Sequence, residues 1–257
     1  MADTALYDAI GGSYIATRRT DPRIAQAIWA GLGDASSVLN VGAGAGAYEP
    51  PDREVLAVEP SAMMIAHRPA NAAPVVRAAA EPLPLPDNRF DAVMAVLSDH
   101  LWRDRVQGLR ELRRVARRRV VLFNADPVAA GQFWLTRDYL PGVLRLIPPR
   151  FRQPGVWVED YLVRELGPVQ LVPVPIPHDC VDGFYGAFWR RPAAYLDPDV
   201  RAGIALFARL PQREVTEALD RLRIDLASGV WHARHAQLVE QEECDLGYYL
   251  VIAELTN

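Results

Sequence analysis

Residues 38–46, Val-Leu-Asn-Val-Gly-Ala-Gly-Ala-Gly, run an apolar stretch straight into three glycines spaced by two. A strand that ends this way turns sharply and brings its main chain within van der Waals distance of a ligand, because any Cβ would occupy that space. A tight strand-to-helix turn without a ligand is the alternative for the glycines alone. Either way the turn belongs to an open parallel sheet with crossover helices. The first 127 residues fit that frame: Ser37–Val41, Glu54–Val58, Ala73–Val76, Phe90–Val96 and Val120–Phe123 read as strands buried on both faces. Helices are expected at Ser61–His67 and at Asp104–Ala116, the second with Val106, Leu109, Leu112 and Val115 at helical spacing. Asp21-Pro22 reads as an N-cap and first residue of an earlier helix.

After Asp126-Pro127 the sequence turns aromatic and rich in proline and arginine, and 128–155 reads as a cap-like insertion. Glu159–Leu166 looks helical. Val169–Ile176 alternates apolar residues with two prolines, which suits an edge strand. A helical block over about 181–242 and a closing strand at Gly247–Leu255 complete the chain. We read one domain in three stretches: a lid and cofactor-binding core at 1–127, an insertion and crossover helix at 128–168, and the last two strands with an inserted helical substrate cap at 169–257.

The chemistry of the first turn is sharpened by Glu59, at the tip of the second strand. A carboxylate there accepts hydrogen bonds from both ribose hydroxyls of an adenosine. Two cofactors fit: NAD, through Gly42, Gly44 and Ala47, and S-adenosylmethionine, through Asn40, Gly42, Gly44 and Gly46. A catalytic Tyr-x-x-x-Lys pair of the dehydrogenase kind is absent.

Composition narrows the field further. All 28 basic residues are arginine, which with the Ala, Pro and Val load points to a GC-rich bacterial genome and excludes Schiff-base, pyridoxal-phosphate and Walker A lysines. A net charge of -4 argues against nucleic acid as a partner, since phosphate neutralisation needs excess cations. Six arginines in 110–119 form a solvated face on this reading, with Arg117–Arg119 at a helix C-terminus favoured by the dipole. Cys180 and Cys244 stand apart, no export signal or long apolar run is present, and a cytoplasmic protein is expected, with no membrane partner. His232 and His235 have i, i+3 spacing without a third ligand. No metal is expected, and an exposed helix face is the expectation there.

Three motifs, NVGAGAG at 40–46, VEPSAMM at 58–64 and AEPLPLPDNRFDAVMAV at 80–96, resemble the class I S-adenosylmethionine-dependent methyltransferases of the type 11 branch. The resemblance spans about residues 7–127 and is much weaker beyond. It implies a Rossmann-like seven-stranded sheet, mostly parallel with an antiparallel last strand, plus a helical insertion. It also implies S-adenosylmethionine as cofactor. Carried over by position, Gly42, Gly44 and Gly46 cradle the methionine and ribose, and Glu59 clamps the ribose. Pro60 and Met64 flank the adenine, Ala80 and Glu81 supply its edges, and Leu97 lies at the cofactor. Asn40 replaces the family's usual acidic residue, and Ala79 stands where many relatives have Asp.

The loop Ser98–Asp104 after the fourth strand is similar to the family's His-His-Trp-x-Asp segment. His100 is its candidate general base, with a purely structural histidine as the equal alternative, and Trp102 a candidate for the acceptor. Ahead of the first helix, Arg18 is expected to pair with the methionine carboxylate, with Tyr14 and Tyr7 closing the lid over cofactor and substrate, and a solvated terminus as the alternative. His178, Asp182 and Trp189 are substrate-pocket candidates, each balanced by a core or turn role. The function expected is methyl transfer to a small-molecule acceptor, such as an aromatic or apolar natural product. A cofactor-binding protein or cyclase on the same fold is the alternative, and an NAD-dependent oxidoreductase a third.

Overall fold

The computed structural model describes residues 17–255; Tyr7 and Tyr14 lie outside the described residues. Nine strands are described: β1 (Ser37–Val41), β2 (Glu54–Val58), β3 (Val75–Val76), β4 (Phe90–Val96), β5 (Ala116–Ala125), β6 (Val169–Pro173), β7 (Ile176–Pro177), β8 (Glu243–Cys244) and β9 (Tyr248–Glu254). Seven form one sheet in the order β3-β2-β1-β4-β5-β9-β6, while β7 and β8 make a separate small ladder. β1 pairs parallel with β2 and β4, placing Asn40 opposite Ala57 and Met94. β9 runs antiparallel between β5 and β6, with Leu250 opposite Phe123 and Val172. The order reverses at β1, so the carboxyl ends of β1 and β4 flank a crevice of the kind where open sheets bind ligands.

Alternation along the strands divides the core between two faces. Val38, Met94, Val121, Phe123 and Leu250 meet Ile24 and Ile28 of the first described helix, α1 (Pro22–Gly31), on one face. On the other, Leu39, Val93, Val120 and Leu122 meet Leu109, Leu112 and Val115, the buried stripe of the helix Arg105–Val115. Local caps start these helices. Asp21 accepts from Arg23 N, Ser61 from Met64 N ahead of Ala62–Ala66, and Asp104 from Gln107 N.

Some boundaries differ from the sequence expectation. The third strand is confined to Val75–Val76, whereas β5 is longer than expected because Arg105–Val115 ends where the strand begins. Ala116 is already extended, at φ -83° and ψ 140°. Arg117, Arg118 and Arg119 are therefore strand residues, held by Asn88 O, by Asp34 and by Glu254 with Gly31 O, and the helix end that Arg119 meets, at Gly31, is that of α1 rather than of the preceding helix. Residues 181–191 are turns rather than helix, because they are threaded tightly: the Trp189 indole donates to Ile176 O at 2.9 Å, and a Cβ on Gly186 would stand 2.9 Å from the Tyr248 ring.

Short helical turns fill 127–166, two of them π-helical, at Leu135–Tyr139 and Val158–Val163. Trp134, Tyr139 and Val143 from this stretch join Trp189, Tyr195 and Trp231 in the α1-side core. The insertion and the C-terminal helices thus pack as one body. His235 belongs to the same cluster: it is buried, 5.0 Å from the Trp231 ring and 3.1 Å from Asp138, which corrects the exposed-face expectation for it. Among the described residues no helix is long and apolar enough to cross a membrane.

Candidate functional site

The loop after β1 has three glycines at positive φ, +71° at Gly42, +52° at Gly44 and +98° at Gly46, each in backbone space that L side chains rarely adopt. Their surroundings differ. A Cβ on Gly42 would stand 2.6 Å from the Ser98 Cβ, so this glycine is needed for two loops to touch. A Cβ on Gly44 would meet nothing within 4 Å, and Gly44 lines a cavity of about 280 Å³. Glu59 orients this loop from β2: its carboxylate accepts from Gly44 N at 2.8 Å and from Ser61 N at 2.9 Å. From the far side the nearly buried Arg68 donates to Gly44 O and to Glu49, and Glu49 also accepts from Ala73 N.

At the end of β4, Leu97 adopts φ 48°, a left-handed conformation that costs a residue with a Cβ about 1–2 kcal/mol. Its N–H donates to Phe123 O, and Ser98 Oγ donates to Val41 O, which ties the β4 loop to the glycine loop. Asp99 follows, 1% exposed. It accepts from Asn124 Nδ2 at 2.5 Å, from Arg105 Nη2 at 3.0 Å and from the Tyr161 hydroxyl at 3.1 Å. Burial would raise its pKa, but the charges of Arg105 and His100 and these hydrogen bonds together hold it below the usual carboxylate range. The same burial and the Asp99 charge push the Tyr161 hydroxyl far up. His100 therefore sits exposed on a turn whose preceding residue is bolted to β5 and to two helical segments.

A third group closes the cavity from the N-terminal side. Arg18 lines it and is gripped bidentately by Asp182, Nε to Oδ1 at 2.6 Å and Nη2 to Oδ2 at 3.1 Å. Asp182 is fully buried and also accepts from the Tyr48 hydroxyl at 2.8 Å. Tyr48 ends the glycine loop at φ 65°, its N–H donating to Thr20 Oγ1 and its carbonyl accepting from the Trp29 indole. Burial and the neighbouring Asp182 charge push its hydroxyl pKa far up, so it stays a donor.

The expected site residues separate into those at the cavity and those away from it. Arg18, Gly42, Gly44 and Gly46 line it, together with Thr20, Asn40, Tyr48, His67, Pro69 and Val96. Glu59 stands one layer behind, through Gly44 N. Met64 is buried on Ala62–Ala66, Ala80 is buried, and half-buried Pro60 offers its carbonyl to Arg77. One carboxylate oxygen of Glu81 accepts from Arg103 N and Asp104 N, ahead of the helix after β4, while its other oxygen is buried without a hydrogen-bond partner. Trp102 packs on Gly108, where a Cβ would fall onto the indole ring, with its indole nitrogen 3.6 Å from the Cβ position of Gly42.

For the three substrate candidates of the C-terminal half the structure assigns other work. His178 accompanies Glu242 beside the β7–β8 ladder, Trp189 is fully buried in the core, and Asp182 holds Arg18 and Tyr48 instead of facing an acceptor. Sequence reasoning missed Tyr48, His67, Pro69 and the Asp99 network. Only Asp99 carried a signal, as an acidic residue beside the loop histidine.

The donor set fits an amino-acid-bearing adenosine. Asn40 is 1% exposed and lines the cavity, and its Oδ1 is buried without a hydrogen-bond partner while Nδ2 donates to Glu49. An orphaned buried acceptor costs about 1–3 kcal/mol, relieved by a ligand that brings a donor, as an ammonium does.

Comparisons with known proteins agree. A family described as a methyltransferase domain matches residues 39–123. Among solved structures, the chain is similar to an Anabaena variabilis protein assigned as a methyltransferase from an antibiotic biosynthesis pathway, at 32% identity and TM-score 0.82 over 93% of this chain and 99% of that one. It shares its fold with the YcgJ protein of Bacillus subtilis, at TM-score 0.51 and 17% identity over 96% of this chain and 98% of that one. No curated protein matches this chain.

Proposed function

The chain belongs to the class I S-adenosylmethionine-dependent methyltransferases of the type 11 branch, and from that premise we propose that it methylates a small, flat or apolar acceptor of natural-product type. The observation that carries the proposal is the reach of the Anabaena similarity, which extends through the insertion and the C-terminal helices as well as the cofactor half.

S-adenosylmethionine, when bound, would supply a methyl group activated on a sulfonium, which passes to the acceptor as the C–S bond breaks and S-adenosylhomocysteine leaves. The protein's share is mainly to position the reactants. Gly44 would allow close main-chain approach, Glu59, held by Gly44 N and Ser61 N, would meet the ribose, and the acceptor oxygen of Asn40 and the Arg18 cation would serve the ammonium and carboxylate. The exposed His100, on a turn fixed through Asp99, takes a proton from an acceptor that arrives protonated.

The test is to incubate the enzyme with methyl-labelled S-adenosylmethionine and an extract of an actinobacterial or cyanobacterial culture, then count label in small-molecule, protein and nucleic-acid fractions. The proposal expects label in the organic-soluble small-molecule fraction. Label confined to macromolecules, or binding of S-adenosylhomocysteine with no transfer into any fraction, would overturn it.

A further inference from the structure

The segment Thr17–Thr20 passes over the cavity and is held there by the C-terminal part of the chain. A Cβ on Gly183 would stand 2.8 Å from the Thr17 carbonyl oxygen, and a Cβ on Gly203 would fall onto the Thr17 hydroxyl. The two glycines thus form a notch in which Thr17 is seated. Next to Gly183, the fully buried Asp182 receives the Arg18 guanidinium through two parallel hydrogen bonds and accepts from Arg19 N at 3.3 Å as well. Its second oxygen is shared with Tyr48, the last residue of the glycine loop to line the cavity.

A buried carboxylate that takes a guanidinium edge-on fixes the plane and direction of that group, because the fork geometry admits one arrangement. Asp182 also joins three segments distant in sequence: the strap at 17–20, the loop ending at Tyr48, and the turn after β7. We infer that Asp182 is a positioning residue for the cofactor: it aims Arg18 at the amino-acid end of the cavity and registers the glycine loop against the cap through Tyr48. The inference rests on the carboxylate role of Arg18 stated above and adds its cause. Recognition of the methionine moiety is on this account built by the acceptor half of the chain, whereas recognition of the adenosine is built by β1 and β2.

That division is tested with two ligands, S-adenosylhomocysteine and 5′-methylthioadenosine, which lacks the amino-acid group. Calorimetric titrations of wild type, Asp182→Asn, Arg18→Lys and the double variant are compared. Asp182→Asn is expected to weaken S-adenosylhomocysteine by roughly tenfold or more and methylthioadenosine by less than about twofold. Arg18→Lys should show the same selectivity, and the double variant should lose little beyond either single one. Equal weakening of both ligands by Asp182→Asn would make Asp182 a structural residue and overturn the inference. Selective loss in Arg18→Lys without loss in Asp182→Asn would leave the Arg18 role standing and refute the positioning. No selective loss in either variant would refute both. Should Asp182→Asn fail to fold, Tyr48→Phe removes one donor to the same carboxylate, and a lowered affinity for S-adenosylhomocysteine alone is the expected result. Unchanged or parallel affinities there would refute it.

Discussion

Gly42 and Gly44 are two residues apart in one motif, yet the structure gives them separable duties. Alanine at Gly42 meets two penalties: a left-handed conformation, costing about 1–2 kcal/mol, and a Cβ 2.6 Å from the Ser98 Cβ, which forces two packed loops apart. Overpacking of this kind costs about 1–3 kcal/mol. Their sum centres near 3–4 kcal/mol, a large part of the roughly 5–15 kcal/mol that holds a domain together, and corresponds to a fall in Tm of about 6–15 °C. Alanine at Gly44 meets only the conformational penalty, because its Cβ enters open cavity. The expected fall is about 2–8 °C. The same methyl occupies the cradle, so S-adenosylhomocysteine affinity should drop at least tenfold in Gly44→Ala. Calorimetric melting of the ligand-free proteins, followed by titration with S-adenosylhomocysteine, measures both quantities. A Gly44→Ala protein that binds like wild type, or a Gly42→Ala protein as stable as wild type, would refute the assignment of duties.

Three further outcomes are expected. His100→Ala should lower kcat on the identified acceptor by about 10²–10⁴ with S-adenosylhomocysteine affinity unchanged, and unaltered turnover would remove His100 from the mechanism. Asp99→Ala should destabilise the protein by about 3–5 kcal/mol in urea titration, since it strands the mostly buried Arg105 guanidinium without its partner; a loss under about 1 kcal/mol would show the network to be dispensable. Burial raises the Asp21 pKa but is outweighed by Arg23 and by Val181 N, which bring it down to about 2. Its contribution to stability is therefore complete above about pH 4 and lost as the pH falls through about 2. Asp21→Asn should flatten the acid limb of the urea midpoint between pH 5 and pH 2, and an unchanged limb would contradict that.

What the sequence discloses here is mostly what is local or periodic. The cap Asp21 was legible because an N-cap acts two or three residues along the chain, and the helices expected to begin at Ser61 and Asp104 prove to have those residues as their caps. The β-strand core was legible because a parallel strand buried on both faces has to be apolar almost throughout. Arg117–Arg119 misled because a cationic run suits a helix end and an exposed strand start equally, and only the extended backbone of Ala116 decides. The Asp182–Arg18 pair spans 164 residues, and Asp99 reaches Tyr161 across 62. Such contacts follow from the return of the C-terminal half over the sheet edge, which no local pattern encodes. Asp182 was noticed for the right region and given the wrong neighbour: the turn Asp182-Gly183 faces the strap, whose backbone needs the missing Cβ of Gly183.

The central claim is that the cavity over the glycine loop is built for S-adenosylmethionine, and thermal titration with S-adenosylhomocysteine and NADH in parallel tests it most directly. At a hundredfold excess over Kd a bound ligand adds about 2.7 kcal/mol, which for a chain of this size raises Tm by roughly 5–11 °C. The account predicts that rise with S-adenosylhomocysteine and none with NADH. A rise with NADH alone, or with neither ligand, would contradict it.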